Sequence, residues 1–268
     1  MMIDFHNHIL PDVDDGASSI EVSIQMLKEA ERQGITDVVN TTHFKHPKMV
    51  NKDVTYENIY KKASNLKNIL AENNISINIH LGAETLFHDD ILELKNNDLV
   101  TFSNGKFISI EFLTNYLPGN HKEILYDLKM AGITPIIAHP ERYISIQQDI
   151  QQVARWLEAG CLIQVDAGSP IGLLGIEAKK ASEIIIKNRW CQILGSDAHN
   201  DRNRNFCLFQ SLEYVYSLIG EEAKMLVNEN PKSILLGQEI EVDVNYDNLY
   251  KGTIFDNIKN KIQKLKRL

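Results

Sequence analysis

The stretch Met1-Met2-Ile3-Asp4-Phe5-His6-Asn7-His8 decides how this chain reads. Met2 to Phe5 has the pattern of a short apolar strand, and it runs straight into two histidines separated by one residue. Side chains two apart on a strand point to the same face, so both imidazoles leave one strand end together. Two convergent nitrogen donors make half a metal site, and the other half is to be sought at the ends of the remaining strands.

Outward from this stretch, short apolar runs alternate with longer helical patterns. Strands are expected at Ile3–Phe5, Asp37–Thr41, Ile75–Leu81, Lys106–Phe112, Thr134–Ala138, Leu162–Val165 and Cys191–Leu194. Helices are expected at Ser18–Gln33, Tyr56–Glu72, Lys122–Met130, Ile150–Glu158 and Ile176–Lys187, with two more near Cys207–Leu218 and Glu221–Asn228. The first opens on a capping-box pair, Ser18 and Glu21, and stops at Gly34. Alternating strands and helices imply a parallel sheet with right-handed crossovers. Seven such units suggest a closed or nearly closed α/β barrel, with an open doubly wound sheet as the alternative. The Gly-rich phosphate fingerprints of dinucleotide and P-loop folds are missing. The 268 residues suit one barrel, which typically takes about 200–250.

Net charge is −8, which disfavours nonspecific nucleic-acid binding. The charge is uneven, because 251–268 holds six basic residues and one acidic residue. No apolar run is long enough to span a bilayer. Acidic and histidine residues interrupt any signal-peptide core at the start, so a cytoplasmic location is expected. Cys161, Cys191 and Cys207 form no CxxC pair, and Cys161 and Cys191 read as buried small hydrophobes. None of the three is followed by five residues and an arginine, so the phosphate loop of thiol-based phosphatases is missing.

The strand ends carry the chemistry. The first ends in His6 and His8, the second in Thr42-His43, the third in Gly82-Ala83-Glu84 and the fourth in Ile110-Glu111. The fifth ends in Ala138-His139-Pro140 and the seventh in Gly195-Ser196-Asp197-Ala198-His199; the sixth, at Val165-Asp166, reads ambiguously. In parallel α/β folds these ends meet at one face, where active sites lie. The loop after the first strand adds Asp12, Asp14 and Asp15. Any one of these residues is ordinary alone, but Glu111 sits in the apolar run Phe107-Ile108-Ser109-Ile110 before Phe112. A carboxylate buried there costs several kcal/mol unless paired or metal-bound. Imidazoles and carboxylates without thiolates suit Mn, Fe or Zn in hydrolytic work. So many ligands exceed the need of one ion, and two or three ions sharing a carboxylate are the natural count. His46, His80, His88 and His121 are read as solvated histidines outside the cluster. Arg142, Arg202 and Arg204 flank the ligands. A forked guanidinium there can grip phosphate oxygens, with Arg142 and Arg204 preferred and Arg202 as a second register.

These motifs resemble the PHP superfamily (polymerase and histidinol phosphatase). More narrowly, Phe5-His6-Asn7-His8-Ile9 through Val13-Asp14-Asp15-Gly16-Ala17, with His139-Pro140-Glu141-Arg142-Tyr143, resembles its bacterial CpsB/YwqE-type protein tyrosine phosphatases of capsule and exopolysaccharide operons. The resemblance runs from about Met1 to Leu236. It implies a distorted seven-stranded TIM-like barrel over 1–240, with a trinuclear, usually manganese-dependent site at the C-terminal strand ends. The first ion would take His6, His8, Glu84 and Asp197. Glu84 would bridge to a second ion held by Glu111 and His139, and a third would use Asp15, His43 and His199. Arg142 and Arg204 would hold the phosphate. The implied substrate is a phosphotyrosine protein, with a bacterial tyrosine kinase of capsule synthesis as the implied partner.

The expected activity is therefore a metal-dependent phosphomonoesterase. A phenolate leaving group, with a pKa of about 10, needs little protonation help. A histidinol-phosphatase-like enzyme is the chemical rival, and a noncatalytic partner-binding barrel is the rival of another class. The mouth segments Phe44–Asn51 and Leu113–His121, with Lys45 and Lys48, would separate protein from small-molecule substrates. Residues 241–268 read as a C-terminal extension. In it Ile254, Phe255, Ile258, Ile262 and Leu265 fall near one face of a basic amphipathic helix, a pattern suited to peripheral membrane contact or to packing on the barrel.

Overall fold

The structure, a computed structural model, describes residues 1–242. Seven parallel strands follow one another around a barrel. They are β1 (Ile3–Asn7), β2 (Asp37–Phe44), β3 (Asn78–Leu86), β5 (Phe107–Glu111), β6 (Thr134–Ala138), β7 (Leu162–Asp166) and β8 (Ile193–Gly195). A two-residue strand, β4 (Thr101–Phe102), pairs antiparallel with β5. The sheet closes where β8 returns to β1: Asp197 N donates to His6 O at 2.7 Å and His8 N donates to Ala198 O at 2.8 Å. The closed alternative is the one realised. β3 begins three residues later than the apolar run suggested and continues to Leu86, so Glu84 lies within the strand, opposite His43 of β2.

The helices α1 (Ile20–Arg32), α2 (Tyr56–Glu72), α3 (His121–Met130), α4 (Ile144–Gln148), α5 (Gln151–Glu158), α6 (Ile176–Lys187), α7 (Leu208–Ile219) and α8 (Glu229–Leu235) complete the fold. Most of the apolar core lies between the strands and the helices. α1, for example, turns Met26, Leu27 and Ala30 onto it. The helix is capped by Ser19, whose hydroxyl accepts from Val22 N, rather than by Ser18. The expected helix near Glu221–Asn228 is a 3-10 segment, Gly220–Val227, packed beside α7 and α8.

A smaller apolar cluster fills the amino-terminal half of the barrel. Ile3, Phe5, Val39, Phe102, Phe107, Ile136, Leu162 and Ile193 meet there, and Ile234 of α8 closes it. Phe102 enters across β3, where an added Cβ at Gly82 would fall 2.1 Å from its ring; glycine is needed for that close approach.

One irregularity sets the site. On β1, Asp4 pairs with Val38 but Asn7 pairs with Asn40, so β1 carries one extra residue between them. Such a bulge re-aims side chains. It lets Ile3 and Phe5 join the inner plug and still turns His6 and His8 toward the carboxyl-terminal mouth. Simple alternation would have placed Phe5 and His6 on opposite faces.

Val242 packs against both apolar clusters. The basic helix expected over 251–268 lies outside the described residues. No helix among the described residues is long and apolar enough to cross a membrane.

Candidate metal centre

Every strand-end residue singled out in the sequence is at the carboxyl-terminal mouth of the barrel. Apart from His139, which belongs to none of them, their ligand atoms and that of the loop residue Asp15 form three overlapping groups: His6, His8, Glu84 and Asp197; His8, Asp15, His43 and His199; and His43, Glu84 and Glu111. Within each group the atoms lie within 4.8 Å of one another. The first group coincides with the first-ion set that the resemblance implies. In the others, His8 joins the set of Asp15, and His43 rather than His139 faces Glu111. His139 instead places Nε2 at 2.5 Å from Glu84 Oε1, while Glu84 Oε2 lies 3.3 Å from His6 Nε2 and 3.1 Å from His43 Nδ1. Glu84 thus turns Oε1 to His139 and Oε2 to His6 and His43.

The imidazoles are oriented from behind. His6 Nδ1 donates to Gln164 Oε1 at 2.9 Å, His8 Nδ1 to Asp14 Oδ2 at 2.8 Å and His199 Nδ1 to Asp197 O at 2.8 Å. A ring whose Nδ1 carries the donated proton keeps a lone pair on Nε2. The Nε2 atoms of His6 and His8 then face each other at 3.3 Å, with Asp197 Oδ1 3.3 Å from both. Four buried atoms, Glu84 Oε2, Asp197 Oδ1, His43 Nδ1 and Glu111 Oε1, lie 3.0–3.3 Å from one another or from the rings of His6 and His8, yet none of these contacts has hydrogen-bond geometry. Leaving such groups unsatisfied costs about 1–3 kcal/mol each, and more for charged ones. Lone pairs and carboxylate oxygens aimed at common points are the donor set a hard or borderline divalent cation requires, so the residues fit such ions.

The electrostatics agree. Burial opposes ionisation of Glu84, yet His6, His43 and His139 hold its pKa well below the usual carboxylate range. Burial opposes the charged form of His6, yet Glu84 and Asp197 pull its pKa up. The field that attracts a proton to His6 also attracts a metal cation, whereas burial, then Arg142, pushes His139 down to about 4. Glu111 differs: burial, then the neighbouring Glu84, pushes it up to about 7.

Adjacent aspartates divide the work. Asp15 Oδ1 lies 3.3 Å from Nε2 of both His43 and His199, whereas Asp14 turns inward to His8 and accepts from His43 N at 3.1 Å. Arg142 Nη1 and Arg204 Nη2 reach Asp197 Oδ2 at 2.5 and 2.6 Å, on the side away from His6. Arg202 is 88% exposed and stays at the surface. His139 and Asp197 both have positive φ, 35° and 50°. Such backbone is costly for residues with a side chain and clusters at functional sites.

The supporting roles of Asp14 and Gln164 emerge only in the structure; the one sequence mark is that Gln164 is a polar residue inside the apolar run Leu162-Ile163-Gln164-Val165. His121 corrects an expectation. It is buried rather than solvated, its ring 5.9 Å from that of Phe112 and 5.8 Å from that of Trp156. Aromatic partners distant in sequence enclose it. His46, His80 and His88 are partly exposed. All three cysteines are buried and free, and burial pushes the Cys161 and Cys191 thiols up to about 12.

A parallel barrel with imidazoles and carboxylates gathered at its carboxyl-terminal mouth defines a TIM-like class of proteins with a candidate metal site. The chain belongs to the CpsB/CapC family, described as capsular polysaccharide synthesis, whose pattern matches residues 2–236. It is 36% identical over 210 residues to the putative tyrosine-protein phosphatase CapC of Staphylococcus aureus, covering 78% of this chain and 81% of that one. It is 31% identical over 240 residues to the tyrosine-protein phosphatase YwqE of Bacillus subtilis, covering 89% and 93%. The solved structures of YwqE from Bacillus subtilis and CpsB from Streptococcus pneumoniae, metal-dependent tyrosine phosphatases, include a chain that superposes with a TM-score of 0.83 at 31% identity, covering 90% of this chain and 96% of that one.

Proposed function

We propose that this protein is a metal-dependent phosphomonoesterase that removes phosphate from phosphotyrosine in proteins, with a bacterial tyrosine kinase of capsule or exopolysaccharide synthesis as its cytoplasmic partner and substrate. Family membership and the names of its relatives support the class. The observation that carries the reading is the convergence of buried imidazole and carboxylate ligand atoms beside two arginines.

His6, His8, Glu84 and Asp197 are the residues to hold one ion; Glu84 and Glu111, with His43 or His139, a second; and Asp15, His43 and His199 a third, with manganese the favoured metal and iron or zinc also suited to the donors. Divalent ions supply an activated water near neutral pH and neutralise phosphoryl oxygens. The protein's own part is to position. Arg142 and Arg204 grip the phosphate oxygens through charge-assisted hydrogen bonds. Gln164 and Asp14 keep the rings of His6 and His8 in one orientation. Beside the centre, a groove of about 410 Å³ is lined by His46, Lys48, Glu111, Phe112, Leu113 and Thr114, among others. It gives room for more of a substrate than the phosphate alone.

Elemental analysis of the purified protein tests this reading, together with turnover of a phosphotyrosine peptide and of histidinol phosphate before and after chelation and Mn²⁺ restoration. The expected result is bound divalent metal, loss of activity on chelation and preference for the peptide. Preference for histidinol phosphate overturns the substrate assignment. Activity on neither compound with Mn²⁺ present favours a noncatalytic barrel.

A further inference from the structure

Asp166, at the end of β7, stands outside all three ligand groups although it is buried at the same mouth. Its Oδ1 accepts from Gly168 N at 2.8 Å, and its Oδ2 lies 3.4 Å from Arg142 Nη1. The same Nη1 lies 2.5 Å from Asp197 Oδ2, so one end of the Arg142 guanidinium rests between two carboxylates. Asp197 belongs to a candidate ligand group. Asp166 belongs to none of those groups, and the cation it contacts directly is Arg142.

Asp166 is itself fixed from the segment that carries the arginine. Glu141, the residue before Arg142, is fully buried, and its Oε1 accepts from Asp166 N at 3.0 Å and from Ser169 Oγ at 2.7 Å. Gln147 Nε2 donates to Glu141 O at 2.9 Å and ties the short turn to α4. The result is a closed circuit: the side chain of Glu141 holds the backbone of Asp166, and the side chain of Asp166 faces Arg142. The arginine side chain is 28% exposed and long, so it loses rotamer freedom only if something behind it is rigid. Its planar fork has five N–H donors. Engagement of Nη1 by Asp166 leaves the others for an oxyanion.

We propose that Asp166 is a positioning residue that aims Arg142 at the phosphate, with Glu141 and Ser169 holding Asp166 in register. This rests on the reading of Arg142 as a phosphate donor. A residue acting through another is exposed by a double-mutant cycle.

The test uses the full-length, Mn²⁺-loaded protein and its variants D166N, R142A and R142A/D166N. Competitive inhibition by inorganic phosphate, direct phosphate binding by calorimetry and melting temperature are measured with kcat and KM on para-nitrophenyl phosphate. Expected is that D166N weakens phosphate binding and lowers kcat/KM by about 10-fold to 100-fold, the scale of one charge-assisted hydrogen bond, and that this loss vanishes in the R142A background. An equal loss in both backgrounds, or none in the first, overturns the inference. If R142A itself leaves phosphate binding unchanged, the reading of Arg142 fails instead. Should D166N not fold, S169A leaves Asp166 in place and loosens its anchor. The same cycle with R142A then gives a smaller loss that vanishes in the double variant, and the absence of that loss overturns the inference.

Discussion

At the amino-terminal end of the barrel, His80 Nε2 meets Asp37 Oδ1 at 3.0 Å in a hydrogen-bonded pair, next to the apolar plug of Phe5, Phe102, Phe107 and Ile234. At the carboxyl-terminal end, His6, His8, His43, His139 and His199 face Asp15, Glu84, Glu111 and Asp197 with several atoms left partnerless. Both ends contain histidine and carboxylate on the same strands, β2 and β3. At one end the groups satisfy each other. At the other only part of the bonding capacity is met internally, and the oxygens and ring nitrogens left over converge on common points that a cation can fill. Residue type alone therefore does not mark the site; unmet bonding capacity that converges does, since buried atoms such as Trp156 Nε1 and Ser211 Oγ lack a partner singly elsewhere.

The largest effect is expected at Glu84. Its replacement by alanine is expected to lower kcat by about 1000-fold or more, the scale of losing one member of a catalytic unit. Melting temperature and metal content measured alongside would show whether the chain still folds and loads. Turnover within tenfold of wild type would mean that the carboxyl-terminal cluster is structural, like the pair below. Next come the supports. Gln164→Ala or Asp14→Asn is expected to weaken metal affinity by about 10-fold to 100-fold, the usual effect of removing a partner behind a ligand. Titration of metal into the chelated variants reads this directly.

The amino-terminal end should answer in stability. Phe102→Ala empties part of the plug and is expected to cost about 3–5 kcal/mol in denaturant unfolding, with metal affinity of the folded fraction close to wild type. A lowered affinity would show that the plug also shapes the centre. The smallest effect belongs to Asp37. Burial acts to raise its pKa, but His80 and Thr36 outweigh that and hold it below the ordinary value. A depressed carboxyl contributes stability above its unfolded pKa and loses it as pH falls through the folded one. Asp37→Asn should therefore cost less than about 1 kcal/mol at pH 7 and flatten the stability loss below about pH 4. An unchanged acid limb in urea denaturation would sink this assignment.

Much of this arrangement could be read from the chain. Alternation of apolar runs with helical patterns led to the barrel, and six acidic or histidine-bearing strand ends led to its mouth, because parallel strands must bring those ends together. The resemblance added how arginines and metals would be shared. What stayed hidden was geometry that composition does not encode. The extra residue in β1 has no sequence mark, because Phe5-His6 reads as ordinary alternation. The left-handed backbone at His139 and Asp197 is only weakly marked: histidine and aspartate adopt it more readily than most residues, but far more of them do not. Asp14 and Asp15 differ in role only through the path of their loop. His121 looked like a surface residue until Phe112 and Trp156 closed over it. Asp166 stayed ambiguous because its partner, Arg142, comes from another strand's loop.

The bulge in β1 has a further consequence. It acts as a phase shifter: upstream of it, odd-numbered side chains of the strand face the interior, and downstream, even-numbered ones do. Lengthening or trimming the chain before Ile3 leaves that phase intact. Removing a single residue between Phe5 and His8 would invert it, swinging an imidazole out among the helices while the barrel itself could still close. This protein should therefore tolerate amino-terminal fusions, yet be silenced by a one-residue deletion only a few positions downstream.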